Sequence, residues 1–405
     1  MFDYVWCSIR RRKAASLVTA AISVMLVILL NLYFGSIRSY QTQLTDLAEN
    51  VPVYCRILNR NGSLENNLFI SERILEGLRQ SDQVKNPAYI TCFMAGEGDF
   101  ALAEIKVQLN LWGAGVNRTE AIGNDVYDLI EMEASDIDEL LSSDRMECIV
   151  DKTIMRRRKW EIGDTVVLKC YYDSADSEYG KRMLAPMGGT VEVKIVGSMT
   201  GVTGRNGYRI DLLLPYDGVL RMYEQYGHPC FADSASFYVE DPLQLNEFKA
   251  QMKEIGLGDV VPTAMDSYHG CVLEVKDNDF IVRATNLRRS IDMLKLFFPV
   301  VCALVLMIGY VVSYLSGNSR REEFALLRLQ GVKKMKSSLL FLSEQMILVL
   351  VGNLIGDVVM VFVTPSVSLM FAVNGILLLA YLIGSAAAYG RMSRGSVVAL
   401  LSAQQ

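Results

Sequence analysis

Four long apolar runs constrain the fold of this chain more than any other feature. A helix needs about 20 mostly apolar residues to cross the hydrocarbon core of a bilayer, and each run meets that length. Over the whole chain of 405 residues, 51% are hydrophobic and 21% are charged, a mixture typical of a few spans joined to a sizeable soluble domain. The predicted spans are residues 14–36, 291–316, 339–363 and 369–389.

Clusters of basic residues at alternate ends of the spans predict their orientation, because Lys and Arg near spans mark the cytosolic side. The N-terminal segment 1–13 ends in Arg-Arg-Arg-Lys, the loop 317–338 carries six basic residues, and the tail 390–405 carries two. We therefore expect both termini in the cytosol and residues 37–290 outside it. A cleaved signal peptide is the alternative for the first span, but its apolar core would be shorter, so an uncleaved anchor is favoured.

Residues 37–290 are expected to form an α+β domain carried on two stalk helices. Apolar residues step by three and four in both flanks, which is coiled-coil spacing, although ordinary amphipathic helices are the alternative. Short β-type runs at about 148–240 predict a mostly-β subdomain, a further strand is predicted at 101–111, and a helix at 123–141. The seam residues are Ile37, Tyr40, Leu44, Leu47 and Val51, then Phe280, Ala284, Leu287, Ile291, Leu294 and Phe298.

The loop 317–338 is a basic amphipathic segment between two predicted spans. Phe324 and Leu327 give it one partly apolar face, and charged residues cover the rest. Gly331 is placed to end the helix, because glycine readily adopts the left-handed conformation that follows helix C-termini. Two interpretations fit this pattern: a helix lying among lipid head groups, or a helix that docks into a groove of a cytosolic partner.

Small residues within the predicted spans indicate close helix packing. Gly352 and Gly356 form a Gly-x-x-x-Gly step in the third span, while Gly384 and Ala388 belong to a small face on the fourth. Such residues let helices approach closely in lipid. We favour packing within the chain, and an interface between two copies is the alternative.

Two carboxylates lie in or near the third span. Glu344 is a possible intramembrane polar site, because ionisable residues inside membranes are commonly functional. It is also close enough to the cytosolic edge to reach Lys336 or water. Asp357 is closer to the outer end of the span and is expected to be solvated or paired.

The sequence argues against several function classes. It contains no Walker motif, Gly-x-Ser-x-Gly elbow, HExxH or EF-hand loop, so we expect no enzyme activity, no catalytic residue and no cofactor held by this chain. Two histidines and no Cys-x-x-Cys pair argue against a metal site, and the net charge of -5 argues against nucleic acid as a partner. The cysteines of the soluble region permit either disulfides or buried thiols. They are Cys55, Cys92, Cys148, Cys170, Cys230 and Cys271.

The third span and its preceding loop also resemble a known family. The resemblance to the FtsX-like permeases, which include the MacB-type ABC proteins, rests on Arg321-Glu322-Glu323-Phe324-Ala325-Leu326-Leu327-Arg328, Gly331, Glu344, Gly352 and Gly356. Two shorter strings, Trp160–Val166 and Lys194–Gly197, are similar to the entry and a later strand of that family's small β subdomain.

The resemblance implies the permease subunit of a MacB/FtsX-type ABC complex in the plasma membrane of a bacterium. In that family two permeases pair with two ATPase subunits, so ATP would be bound and hydrolysed by a separate partner. The loop would be the coupling helix, and the stalks would relay its movement for export of peptides, drugs or lipoprotein-like substrates. Membrane lipid and an extracytoplasmic adaptor or hydrolase are further implied partners. The implied ATPase-coupling residues are Arg321, Glu323, Phe324, Leu327, Arg328 and Gly331.

Two other functions stay open at this point. A mechanotransmission or sensor permease would move no substrate and would control a cell-wall hydrolase or a signalling partner. A membrane-anchored receptor would have no ATPase partner at all.

Overall fold

The chain divides into two compact units. One unit combines Met1–Leu47 with Val282–Gln405, and the other is Ala48–Ile281. The predicted strand 101–111 and the predicted cytosolic segments 1–13 and 390–405 lie mostly outside the described residues. The computed structural model describes residues 10–98, 110–123, 126–175, 182–264, 268–363 and 367–393.

The regular elements are numbered in chain order. The helices are α1 (Lys13–Asn50), α2 (Glu72–Gln80), α3 (Ala134–Leu141), α4 (Lys152–Arg158), α5 (Tyr216–Gln225), α6 (Leu245–Ile255), α7 (Asn278–Asn318), α8 (Arg321–Leu329), α9 (Lys334–Val361) and α10 (Val367–Ser393). The strands are β1 (Tyr54–Asn59), β2 (Ile70–Ser71), β3 (Val84–Glu97), β4 (Leu111–Val116), β5 (Glu147–Asp151), β6 (Thr165–Ala175), β7 (Arg182–Met199), β8 (Leu212–Pro215), β9 (Phe231–Ala232), β10 (Ser234–Val239) and β11 (Gly270–Lys276).

Four helices of the first unit are long and apolar enough to cross a membrane: α1, α7, α9 and α10. Large apolar side chains on their outer surfaces are exposed, such as Leu296 at 75% and Phe371 at 74%. Exposed apolar belts of this kind are what a bilayer covers. The shared interior is formed by Leu26, Val27, Leu30, Val305, Val349, Val373, Leu377, Ala380 and Tyr381.

Helices α1 and α7 both continue beyond their apolar runs. With 38 and 41 residues, they are about 57 Å and 62 Å long, roughly twice the thickness of the hydrocarbon core. In the extension of α7, Ala284 and Ile291 of the predicted seam are buried, while most residues between them are exposed. In α1, the seam residues Ile37, Tyr40 and Leu44 are half-buried. Packing of the two extensions on each other as stalks stays a prediction.

A mixed sheet forms the centre of the second unit. Nine of the described strands join in the order β11-β1-β10-β3-β4-β8-β5-β7-β6. β3 pairs with β6 as well, which closes six strands into a ring. The predicted β-rich subdomain 148–240 is therefore not a sheet of its own. The long strand β3 and its neighbour β4 precede that segment in sequence and are needed to complete the ring.

The single helix predicted at 123–141 is wrong in its first part. Tyr127–Leu129 forms one 3-10 turn, and α3 begins only at Ala134. Between them the backbone pairs with the end of β7: Ile130 forms a bridge with Met199, and the amide of Glu131 donates to the carbonyl of Ser198 at 2.9 Å. These long-range hydrogen bonds hold the segment extended against its local helical pattern.

The six cysteines of the second unit are free thiols. Burial raises the pKa of Cys55, Cys148, Cys170 and Cys230 to about 12, because the thiolate would be charged in an apolar interior. Of the two options left open by the sequence, the structure therefore has buried thiols.

We expect the four buried thiols to resist alkylation by iodoacetamide at pH 8 in the folded chain and to react in urea, because only the thiolate is nucleophilic. Their ordinary pKa is 9.0, so the unfolded chain loses these protons first as the pH rises. Their contribution to stability is thus complete below about pH 9 and lost between about pH 9 and 12. Peptide mass spectrometry reads the modification, with half-buried Cys271 as the internal comparison. Rapid native labelling of Cys148 or Cys170 would contradict this burial.

Candidate functional site

Helix α8 has well-defined ends. Glu322 and Glu323 lie in its first turn and Arg328 in its last, which complements the helix dipole. At the C-terminus, Gly331 has φ 85°, and its amide donates to the carbonyl of Arg328 at 3.1 Å. The amide of Val332 donates to the carbonyl of Leu327 at 3.1 Å, which completes a Schellman motif. The helix end predicted at Gly331 is confirmed.

Phe324 lies inside the helix bundle instead of on the exposed face expected for a docking residue. Its side chain is 0% exposed and packs with Phe341 of α9 and Tyr389 of α10. Ring centroids are 5.8 Å apart for Phe324 and Phe341, and 6.1 Å apart for Phe341 and Tyr389. Leu327 is half-buried against the same aromatic cluster. Phe341 and Tyr389 cover the face of α8 that carries Phe324 and Leu327, so these two residues hold α8 against the bundle.

A second apolar face of α8 is exposed. Leu326 is 55% exposed and Leu329 is 64% exposed, and their i, i+3 spacing places them side by side. Met335 at the start of α9 is 75% exposed. The sequence interpretation missed Leu329 and Met335 because it assigned the partner-facing role to Phe324. The sequence did contain a signal for this second face, because α8 carries more apolar residues than a single apolar stripe along one side of a helix requires.

Two ion pairs hold the start of α8 against its neighbours. Arg320, directly before α8, makes a two-pronged contact with Glu344 of α9, with N–O distances of 2.5 and 2.6 Å. Both side chains are at most 5% exposed, and the guanidinium lies 5.7 Å from the ring centroid of Phe341. Arg12 of the N-terminal segment pairs with Glu323 at 2.9 Å and donates to the carbonyl of Ser319 at 3.0 Å.

Two further predicted coupling residues are Arg321 and Arg328. Arg328 is half-buried, and the side chain of Arg321 lies outside the described part of the chain. Glu344 contacts Arg320, whereas Lys336, its predicted neighbour, is exposed. Across the described residues, no group of three or more His, Cys, Asp or Glu side chains could hold a metal ion.

The predicted small residues make close helix contacts within the chain. A Cβ added at Gly352 would lie 2.7 Å from the carbonyl oxygen of Ala20, and one at Gly356 would lie 2.9 Å from a methyl of Val27. A Cβ at Gly384 would lie 2.7 Å from the backbone nitrogen of Tyr310. These contacts join α9 to α1 and α10 to α7. Ala388, the fourth predicted packing residue, is buried.

Gly352→Ala should destabilise the bundle, whereas Gly375→Ala should stabilise it slightly. The new methyl at Gly352 meets rigid backbone of α1, and such overpacking costs about 1–3 kcal/mol. At Gly375 the space is open, so alanine gains up to about 1 kcal/mol of helix propensity. Thermal unfolding of both variants in detergent measures the difference. Shifts of the same sign would contradict the close contact between α1 and α9.

Comparisons with known proteins return solved structures only. No family model and no curated protein matches this chain. The periplasmic region of MacB from Actinobacillus actinomycetemcomitans matches at 12% identity, with 60% of this chain and 98% of that chain covered and a TM-score of 0.30. The chain is similar to this periplasmic region of MacB. The extracellular domain of the noncanonic ABC-type transporter YknZ from Gram-positive bacteria matches at 15% identity, with 51% and 90% covered and a TM-score of 0.26.

One of these solved structures is a periplasmic region and the other is an extracellular domain. At these identities and TM-scores the likeness carries no argument about activity, substrate or partners. We therefore rest the function of the loop on the contacts of its own residues.

Proposed function

We propose that this chain is the permease subunit of a MacB/FtsX-type ABC complex and that α8 is its coupling helix. The observation that carries the proposal is the combination of a buried face and an exposed apolar face on one short helix. Phe324 fixes α8 to the bundle, while Leu326 and Leu329 stay available to a partner. Helix-in-groove recognition uses apolar anchors at this spacing.

The contacts of α8 suit transmission of movement. Phe324 joins it to α9 and α10, Arg320 joins its start to α9, and Glu323 joins it to the N-terminal segment before α1. A displacement of α8 by a partner would therefore move α9 and α10 with it, because buried aromatic and ionic contacts resist sliding. The pair between Arg12 and Glu323, about a third exposed, would add a weaker link to α1. An exposed loop without such contacts would absorb the movement instead.

The remaining parts of the proposal concern the assembly. A separate ATPase would bind and hydrolyse ATP, and a second permease, equal or different, would complete the pair. The basic loop and both termini would be cytosolic, with residues 48–281 outside the cytosol, as the distribution of Lys and Arg indicates. Lipid and an extracytoplasmic adaptor or hydrolase would be further partners, and this chain itself would perform no catalysis.

Purification of the tagged full-length chain from native membranes in mild detergent tests the docking face. We expect a P-loop ATPase to accompany the chain in about equal amount. Leu329→Asp and the double variant Leu326→Asp/Leu329→Asp should lose it. Gln330→Asp is the matched control, because it adds the same charge at the adjacent exposed position and should retain the ATPase. Retention by the double variant would favour a helix that only lies on lipid, and absence of any ATPase in several detergents would favour the receptor.

A mechanotransmission permease is the second candidate, favoured by the length of helices α1 and α7, each of which extends well beyond its apolar run. Continuous helices of about 57 and 62 Å could carry movement out of the membrane without any substrate passing. Inverted membrane vesicles distinguish the two functions. ATP-dependent accumulation of a peptide or drug supports export, and its absence over a broad panel supports mechanotransmission.

A further inference from the structure

A polar pair lies between α9 and α10, away from the α8 loop. The side-chain amide of Asn374 donates to Oδ2 of Asp357 at 2.5 Å. Measured along α9, Asp357 is about 20 Å beyond Glu344 at 1.5 Å per residue, so the two carboxylates lie towards opposite ends of this helix. In the part of the chain that the structure describes, Asp357 forms no ion pair with Lys or Arg.

The pair leaves several buried polar atoms without a partner among the described residues. They include Oδ1 of Asp357 and Oδ1 of Asn374. Both side-chain atoms of Asn353 are also unpaired, and Asn353 is only 2% exposed. Asn353 precedes Asp357 by one helical turn and therefore lies on the same face of α9. Three unpaired oxygens, one of them from a carboxylate, thus belong to one face of α9 and the helix that packs on it.

Unpaired buried oxygens and an uncompensated carboxylate are both costly inside a membrane-spanning bundle. A water molecule could donate hydrogen bonds but would leave the negative charge. A proton on Asp357 would remove the charge and could donate to one asparagine oxygen, but the other asparagine oxygen would stay unpaired. A bound cation satisfies both requirements, since carboxylate and amide oxygens are ligands for hard cations.

We propose that Asp357, Asn353 and Asn374 bind one small monovalent cation, for which Na⁺ is the probe. The charge of the site argues for a monovalent ion, because a divalent ion would leave a net positive charge among apolar helices. Asp357 is only half-buried, so its carboxylate can be reached from outside the helix bundle. The ion would hold α9 and α10 together at the end of α9 far from the α8 loop.

Thermal unfolding of the full-length chain in detergent at constant ionic strength tests the site, with NaCl exchanged for choline chloride. We expect the midpoint to rise by about 4 °C between 1 and 100 mM Na⁺, and to rise with the logarithm of the Na⁺ concentration once the site is filled, as ligand linkage requires. Asp357→Asn keeps the shape of the side chain and removes its charge, so the rise should disappear. Binding of about one ²²Na⁺ per chain, competed by NaCl and not by choline chloride, is the direct measurement.

Ser313→Ala supplies the matched control, because Ser313 is also a buried residue of the bundle with an unpaired hydroxyl. It should keep the full response to Na⁺. The proposal is overturned by a chain that does not respond to Na⁺, by an equal response in Asp357→Asn, or by a response to pH alone. These measurements use the isolated chain, so their result is independent of whether an ATPase binds α8.

Discussion

Glu344→Ala should lower the free energy of unfolding by about 3–5 kcal/mol, which is among the largest losses expected from one substitution in this chain. The change leaves the guanidinium of Arg320 buried, 5% exposed, and without its carboxylate. Uncompensated charge in an apolar interior is far more costly than loss of the attraction alone. Thermal or denaturant unfolding in detergent measures the effect, with folded secondary structure checked by circular dichroism.

A double variant separates the charge from the packing. Arg320→Met/Glu344→Met removes both charges and keeps comparable volume, so it should recover most of the stability lost in Glu344→Ala. The same double variant should weaken the coupling of α8 to α9. The bidentate contact fixes the geometry of the two side chains, whereas the apolar contact that replaces it has no preferred direction. We therefore expect this double variant to bind the ATPase but to show less ATP-dependent export or mechanotransmission. A double variant as unstable as Glu344→Ala would contradict the pairing of Arg320 with Glu344.

The helices that cross the membrane could be predicted from the sequence because their signal is local. An apolar run must form a helix to satisfy its backbone in lipid, whatever its neighbours are. The end of α8 could also be predicted from the sequence, since Gly331 can adopt a positive φ at little cost. The close approach of α9 to α1 at Gly352 followed from residue size, although the identity of the partner helix did not.

For Glu344 the sequence suggested Lys336 or water as the partner, and the structure has Arg320 instead, because proximity in sequence is a poor guide inside a bundle. Lys336 is two turns away on the same helix and remains exposed. Arg320 is 24 residues away in sequence, but α8 and the turn at Gly331 reverse the path of the chain, so that Arg320 lies beside α9. An arginine fork also matches a carboxylate better than an ammonium group does. Only the path of the chain reveals this pairing.

The extent of the sheet also could not be predicted from the sequence. Patterns of alternation identified several strands between 148 and 240, but the ring is completed by β3, which pairs with β10 as well as with β4 and β6. Pairing partners depend on register between distant segments, and a single sequence carries little of that information. The same cause explains the false helix before α3, where β7 provides the hydrogen bonds.

Phe324→Ala distinguishes the structural position of this residue from the role that its sequence motif implies. A fully buried phenylalanine replaced by alanine costs about 3–5 kcal/mol, because the cavity beside Phe341 and Tyr389 is only partly refilled. We expect a large fall in the unfolding midpoint and faster proteolysis within α8. Leu326→Ala, two positions away and 55% exposed, should leave both measurements almost unchanged.

The two variants should exchange their order when binding is measured under conditions where both are folded. Leu326→Ala should weaken capture of the ATPase because it removes an exposed anchor. Phe324→Ala should change capture little under these conditions, because its effect elsewhere comes from a reduced folded fraction. An osmolyte such as sucrose, which raises the folded fraction without acting on the docking face, should therefore rescue Phe324→Ala and not Leu326→Ala. A Phe324→Ala chain that melts normally but fails to bind would place Phe324 on the docking face and would reverse the assignment of the two faces of α8.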